Sequence, residues 1–228
     1  MPSKTVVFAK RSLSLSKYQA GVGLFLAAFG MALIVFLSHI HGITSVPQDF
    51  LISVSFLSFG LFMFPTPVIL LYVYDKNNGV LEYLLSLGWN QSDIFKQYLK
   101  TALFLALTLF IAESTVVLIA GTIVGVQAVF LLDLLVLSLT AFLGFSVISL
   151  VTVSMMDFSS LQKQRVGANT PLAFTIGVPF IFPTFYLSFL GFIPEFIVEL
   201  SLSILASVLS VTLLILSSRL IRREKMLP

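Results

Sequence analysis

The stretch LLVLSLTAFLGFSVISLVTVSMM (Leu134–Met156) runs 23 residues without a charged side chain. A helix needs roughly 20 predominantly apolar residues to cross a hydrocarbon core ~30 Å thick. In lipid, a run of that length satisfies its own backbone hydrogen bonds only as a helix. On either side of it charge is absent again, over Ser114–Leu132 (19 residues), Phe50–Tyr74 (25), Tyr18–Gln48 (31), Val166–Pro194 (29) and Leu200–Ser218 (19). These runs predict an all-α polytopic membrane protein with six transmembrane helices. The expected spans are Tyr18–His39, Phe50–Tyr74, Tyr98–Ile123, Ala128–Met156, Pro171–Phe192 and Val198–Ser217, the third interrupted by Glu113.

Composition agrees. The 228 residues are 58% apolar and 10% charged, with a mean hydropathy of +1.06. A soluble domain is about 45–50% apolar and about 25% charged, so an enzyme with a fully solvated surface is excluded. The chain has no cysteine, which removes disulfides, thiolate metal sites and a cysteine nucleophile. The first apolar run is longer than the 7–15-residue core of a cleavable signal and no small-x-small site follows it, so it is expected to stay as a span.

Orientation is read from Lys and Arg. Lys4, Lys10, Arg11 and Lys17 precede span one; Lys76, Lys96 and Lys100 fall between spans two and three or at the start of three; Lys163 and Arg165 follow span four; Arg219, Arg222, Arg223 and Lys225 end the chain. That accounts for all 13 basic residues. An even number of spans between these segments puts them on one side, so both termini are expected in the cytoplasm of a cell-membrane protein. Residues 1–17 mix the bases with Val6, Val7, Phe8, Leu13 and Leu15. Such a segment either lies in the anionic inner interface or forms a solvated basic tail.

The longest cytoplasmic connection is DKNNGVLEYLLSLGWNQSDIFK (Asp75–Lys96). Asn77, Asn78 and Gly79 stop the preceding helix. Val80, Leu81, Leu84, Leu85 and Leu87 then recur at helical spacing, with Glu82 and Ser86 on the other side. Gly88 ends this short helix after roughly nine residues, and Asn90 with Asp93 has the look of a capping pair that opens the next one. The leucine face needs a cover. Lipid headgroups, the protein's own helix ends and a groove on a partner protein all fit the residues.

The run Gly79-Val80-Leu81-Glu82-Tyr83-Leu84-Leu85-Ser86, with Asp75 before it and Ile94-Phe95-Lys96 after it, resembles the membrane permeases of the ATP-binding cassette type-2 transporter family. In that family a polar turn, Gly-[TV]-Leu-Glu-x-Leu-Leu and a helix entering the third span form the coupling helix. The family often has two acidic residues before the glycine, where this chain has Asp75-Lys76-Asn77-Asn78. The resemblance implies one transmembrane permease domain over 1–228, with 1–17 as an interfacial segment and 75–97 as the coupling region. It implies an exporter in which two permease copies, or this permease and a related one, each supply half of the translocation path. It also implies that Gly79, Val80, Leu81, Glu82, Leu84, Leu85 and Ser86 dock a separate ATPase, two copies per transporter. Pro183, Gly191 and Pro194, followed by Glu195 and Glu199, match the family's re-entrant outer helices between spans five and six.

No G-x-x-x-x-G-K-[ST] phosphate loop occurs in the chain. ATP and Mg are therefore expected on the partner ATPase. This chain is expected to bind no cofactor, to catalyse nothing itself, and to meet membrane lipid but no nucleic acid. Pro65 and Pro67 are expected to kink span two along the path. Glu113 lies about 15 residues, or roughly 22 Å, into span three. It either bonds Ser114, Thr115 or a neighbouring helix near the outer interface, or serves the path. It also supports the alternative of a secondary ion- or proton-coupled transporter. A scaffold that transports nothing is a third class. His39 and His41 form an isolated H-x-H, too few ligands for a zinc site. Gly121 and Gly125 form a GxxxG that lets helices approach.

Overall fold

Three glycines with positive φ, Gly79 (70°), Gly88 (84°) and Gly125 (85°), mark the turns between the central helices. Only glycine takes that backbone without strain. The computed structural model describes residues 4–16, 66–155 and 195–220. Within them it is all helical: α1 (residues 4–16), α2 (Thr66–Asn77), α3 (Val80–Ser86), α4 (Gln91–Val124), α5 (Ala128–Met155) and α6 (Glu195–Leu220). Spans one and five, residues 50–65 of span two, His39, His41, Pro65, Pro183, Gly191 and Pro194 lie outside the described residues. Glu195 and Glu199 belong to the first turns of α6.

Two of the stops share one chemistry. After α3, Gly88 N–H bonds Leu85 O and Trp89 N–H bonds Leu84 O, both at 3.1 Å. After α4, Gly125 N–H bonds Thr122 O at 3.3 Å and Val126 N–H bonds Gly121 O at 2.9 Å. Both are Schellman closures that satisfy the last carbonyls of the helix. Asn90 does occupy the position before α4, but its side chain makes no cap. Its carbonyl accepts instead, from Asp93 and Ile94 N–H at 3.0 and 3.1 Å. The expected side-chain capping pair is therefore a backbone turn.

α4 and α5 form an antiparallel pair. Gly121 faces Leu131, and Phe110 meets Phe142 edge-on at 6.0 Å. α5 and α6 run parallel, because Leu137 meets Ser203 and, further along both helices, Gly144 meets Ala206. Small residues form that seam. Among the described side chains of α6, Ser203, Ala206 and Ser210 are buried, and the Ser203 hydroxyl donates to Leu137 O at 2.6 Å. The GxxxG divides its roles: Gly121 admits Leu131, whereas Gly125 ends the helix.

One core joins five helices: Ala9 of α1, Val68, Leu71 and Tyr72 of α2, Leu81 of α3, Ile94, Tyr98 and Leu105 of α4, and Val147, Leu150 and Val151 of α5. The residues 91–123 of α4 and 128–154 of α5 are long and apolar enough to cross a membrane. With 34 residues, α4 is about 51 Å long, well beyond a ~30 Å hydrocarbon core. Its exposed face changes character along its length. Asp93, Lys96 and Lys100 give way to Phe104, Leu107, Ile111, Leu118, Ile119 and Ile123. On that second stretch the exposed Thr108, Thr115 and Thr122 hydroxyls donate to the carbonyls of Phe104, Ile111 and Leu118, four residues back, at 2.8 to 2.9 Å. No hydroxyl of that stripe is left needing water.

Candidate functional site

The site is α3 and what holds it. Seven residues cannot stand as an isolated helix in water, so α3 depends on its anchorage. Gly79 supplies the reversal from α2, and the Glu82 side chain folds back toward it. Leu81 points inward and is fully buried. Leu84 and Leu85 are half-buried against the same core, and Gly79 and Val80 are half-buried too. Glu82, Tyr83 (62% exposed), Ser86 and Leu87 (58%) face outward. The Ser86 hydroxyl is engaged by its own helix, donating to Tyr83 O at 2.8 Å. The expected leucine face is thus split: Leu81 packs the chain's own interior, and Tyr83 with Leu87 supplies the exposed apolar area. Beside them lies an open depression of about 420 Å³ bounded by Leu85, Gly88, Trp89, Asn90, Gln91 and Ser92.

Beneath α3, the ends of α2 and α4 are joined by a buried polar knot. The Tyr98 hydroxyl donates to Asp75 Oδ2 at 2.5 Å, and Arg11 Nη2 lies 2.5 Å from Asp75 Oδ1. Asp75 is fully buried. Burial pushes its carboxyl above the ordinary range, against the Tyr98 hydrogen bond and the Arg11 charge, which both act downward. The Tyr98 ring is gripped edge-on by Phe8 at 5.4 Å and Tyr72 at 5.2 Å.

The helix α1 contributes one face to this knot. Lys4 sits over the Trp89 ring at 4.4 Å, and Thr5 accepts from Gln97 Nε2 at 3.3 Å. Arg11 reaches Asp75 and lies 5.9 Å from the Tyr74 ring, while Ser12 Oγ donates to Pro67 O at 2.6 Å. Positions 4, 5, 8, 11 and 12 follow the helical repeat. One face of α1 is docked between α2 and α4, while Val6, Val7, Leu13 and Leu15 stay exposed on the other. The signal was that repeat, and the acid it needed was Asp75. Pro67 is buried and offers its carbonyl to this contact.

Glu113 lies away from α3, on the buried stripe of α4 between Phe110 and Val117. It is 4% exposed, and its Oε1 has no hydrogen-bond partner among the described residues. The expected bonds to Ser114 and Thr115 are not made, because those hydroxyls donate to Phe110 O and Ile111 O. Asp133 is exposed near the start of α5.

No family model matches this chain, and neither a curated protein nor a solved structure is found to be similar to it.

Proposed function

We propose that this chain is the membrane permease subunit of an ATP-driven exporter, one of two permeases that flank a translocation path. A separate ATPase pair, carrying ATP and Mg, docks on α3. The observation that carries the reading is the mechanical continuity of α3 with α2 and α4. Its inward side is Leu81 in the common core, and its two flanking helices are tied by Asp75 and Tyr98. A push on Glu82, Tyr83 and Leu87 is then passed to both helices as a rigid tilt, with no slack linker to absorb it. The coupling-helix resemblance of Gly79–Ser86 supports the same reading. So does the order of directions: antiparallel α4 and α5 and parallel α5 and α6 fit a chain that crosses back between Met155 and Glu195. The six-span topology, with cytoplasmic termini, is part of this proposal.

The test is co-purification with an ATP-binding-cassette ATPase specified by adjacent coding sequence. Glu82→Lys and Tyr83→Ala alter exposed side chains and leave the core intact, so both permeases are expected to insert normally. Each is expected to lose the complex or to uncouple ATP hydrolysis from this subunit. If both variants retain wild-type binding and coupling, docking through α3 is wrong.

A further inference from the structure

Glu113 is a second site, independent of α3. Counting from Phe104, where the exposed face of α4 turns apolar, Glu113 is nine residues or about 14 Å in, close to the middle of a ~30 Å hydrocarbon layer. An ionised carboxylate at that depth needs a counter-charge. Opposite it, the register set by the Gly121–Leu131 and Phe110–Phe142 contacts brings α5 level with Glu113 around Ser138 and Leu139. The buried Ser138 hydroxyl donates to Leu134 O in its own helix at 2.6 Å. Among charged residues α5 has only Asp133, exposed and about 9 Å further along. Of α6, Glu195 and Glu199 begin the helix and Arg219 lies near its far end. The runs 18–48, 50–74 and 166–194 hold no Lys or Arg, and their titratable groups are His39, His41 and tyrosines. The buried Lys76 and the partly buried Arg11 belong to the polar knot at the other end of α4, about 15 residues or roughly 22 Å from Glu113 along that helix. Among the described residues no ammonium or guanidinium therefore lies level with it, and its acceptor atom Oε1 is unsatisfied.

We propose that Glu113 is a proton-binding site inside the bundle. In the closed arrangement the carboxyl carries its proton. When α4 and α5 part and water reaches the site, the O–H bond breaks, the electron pair stays on the carboxylate and the proton leaves to water. Reclosure requires a proton to be taken up again. Opening of this bundle is thereby linked to pH, whatever drives it.

The test uses the full chain alone in lipid vesicles, so its failure is separate from failure of the permease reading. The infrared carbonyl stretch of protonated carboxyls is recorded at pH 7, and the Glu113→Gln spectrum is subtracted to remove Asp75 and other acids. A protonated-acid band that is lost in Glu113→Gln, kept in Glu113→Asp at a shifted frequency and titrated away at higher pH is expected. A wild-type spectrum that matches Glu113→Gln at pH 7 overturns the proposal. So does modification of Glu113 by a water-soluble carbodiimide at the rate of exposed Glu82, which would mean that water already fills the site.

Discussion

Arg11 of α1 pairs with Asp75 of α2 across 64 positions of sequence, Nη2 to Oδ1 at 2.5 Å, with the carboxyl fully buried and the guanidinium 39% exposed. This contact ties the N-terminal helix to the helix ends beneath α3. Removing one partner of a fully buried pair costs ~3–5 kcal/mol, because a bare charge is left inside. The exposure of Arg11 lets solvent screen part of that charge. Arg11→Ala is therefore expected to destabilise the purified protein by about 2 kcal/mol, read as a lower unfolding temperature, with Arg11→Lys intermediate. An unchanged unfolding temperature would show that α1 is held without the pair.

The same carboxyl gives a pH dependence with a definite sign. Asp75 titrates above its ordinary value of 3.8 in the folded protein, chiefly through burial. Between the ordinary and the raised value the folded chain holds a proton that the unfolded chain has lost. Stability then falls as pH rises through that window and levels off above it. Unfolding temperatures measured upward from pH 4 are expected to show this decline in the wild type and to lack it in Asp75→Asn. In Arg11→Ala the decline is expected to extend to higher pH, because a downward influence on the carboxyl is gone.

The features of α4, α5 and α6 that depend only on local sequence were readable in advance. Charge-free runs of 23 and 19 residues locate α5 and α6, and Gly79 and Gly88 mark the stops on either side of α3 without reference to anything distant, whereas Gly125, expected in a GxxxG seam, ends α4 instead. The split of α3 into an inward Leu81 and an outward Tyr83 was not readable, because it is decided by Ile94, Tyr98 and Val151, which the chain brings in from elsewhere. The docking of α1 depends on Pro67, Asp75, Trp89, Gln97 and Tyr98 together, a surface scattered over two other helices and the turn between them. Counting span three from Tyr98 puts Glu113 nearer the outer interface. The exposed face of α4 turns from charged to apolar only between Lys100 and Phe104, a feature of the folded helix that the Tyr98 count does not include.

Two glycines in the helix seams separate backbone crowding from side-chain crowding. A Cβ on Gly144 would stand 2.8 Å from the Ala206 carbonyl oxygen, and a Cβ on Gly121 would stand 2.7 Å from Leu131 Cδ1. The carbonyl belongs to a helix and moves only with it, whereas Leu131 can change rotamer. Gly144→Ala is expected to cost about 1–3 kcal/mol, the range for overpacking. Gly121→Ala is expected to cost less, since its added methyl meets a flexible tip and alanine favours the helix. Equal losses of unfolding temperature for the two would mean that the α5–α6 seam is not as close as described.

The absence of cysteine from the chain permits single-cysteine mapping without a background. Lys100 and Phe104 are one turn apart on the exposed face of α4, at the point where that face passes from charged to apolar. A thiol in hydrocarbon stays protonated and is not reached by an ionic reagent, because both the thiolate and the reagent are excluded from lipid. In intact cells expressing the full chain, Lys100→Cys is expected to resist an impermeant maleimide added outside and to react once the membrane is permeabilised. Phe104→Cys and Ile111→Cys are expected to react in neither condition until detergent is added. Labelling of Lys100→Cys from outside would invert the proposed orientation, and labelling of all three positions without detergent would place the exposed face of α4 in water.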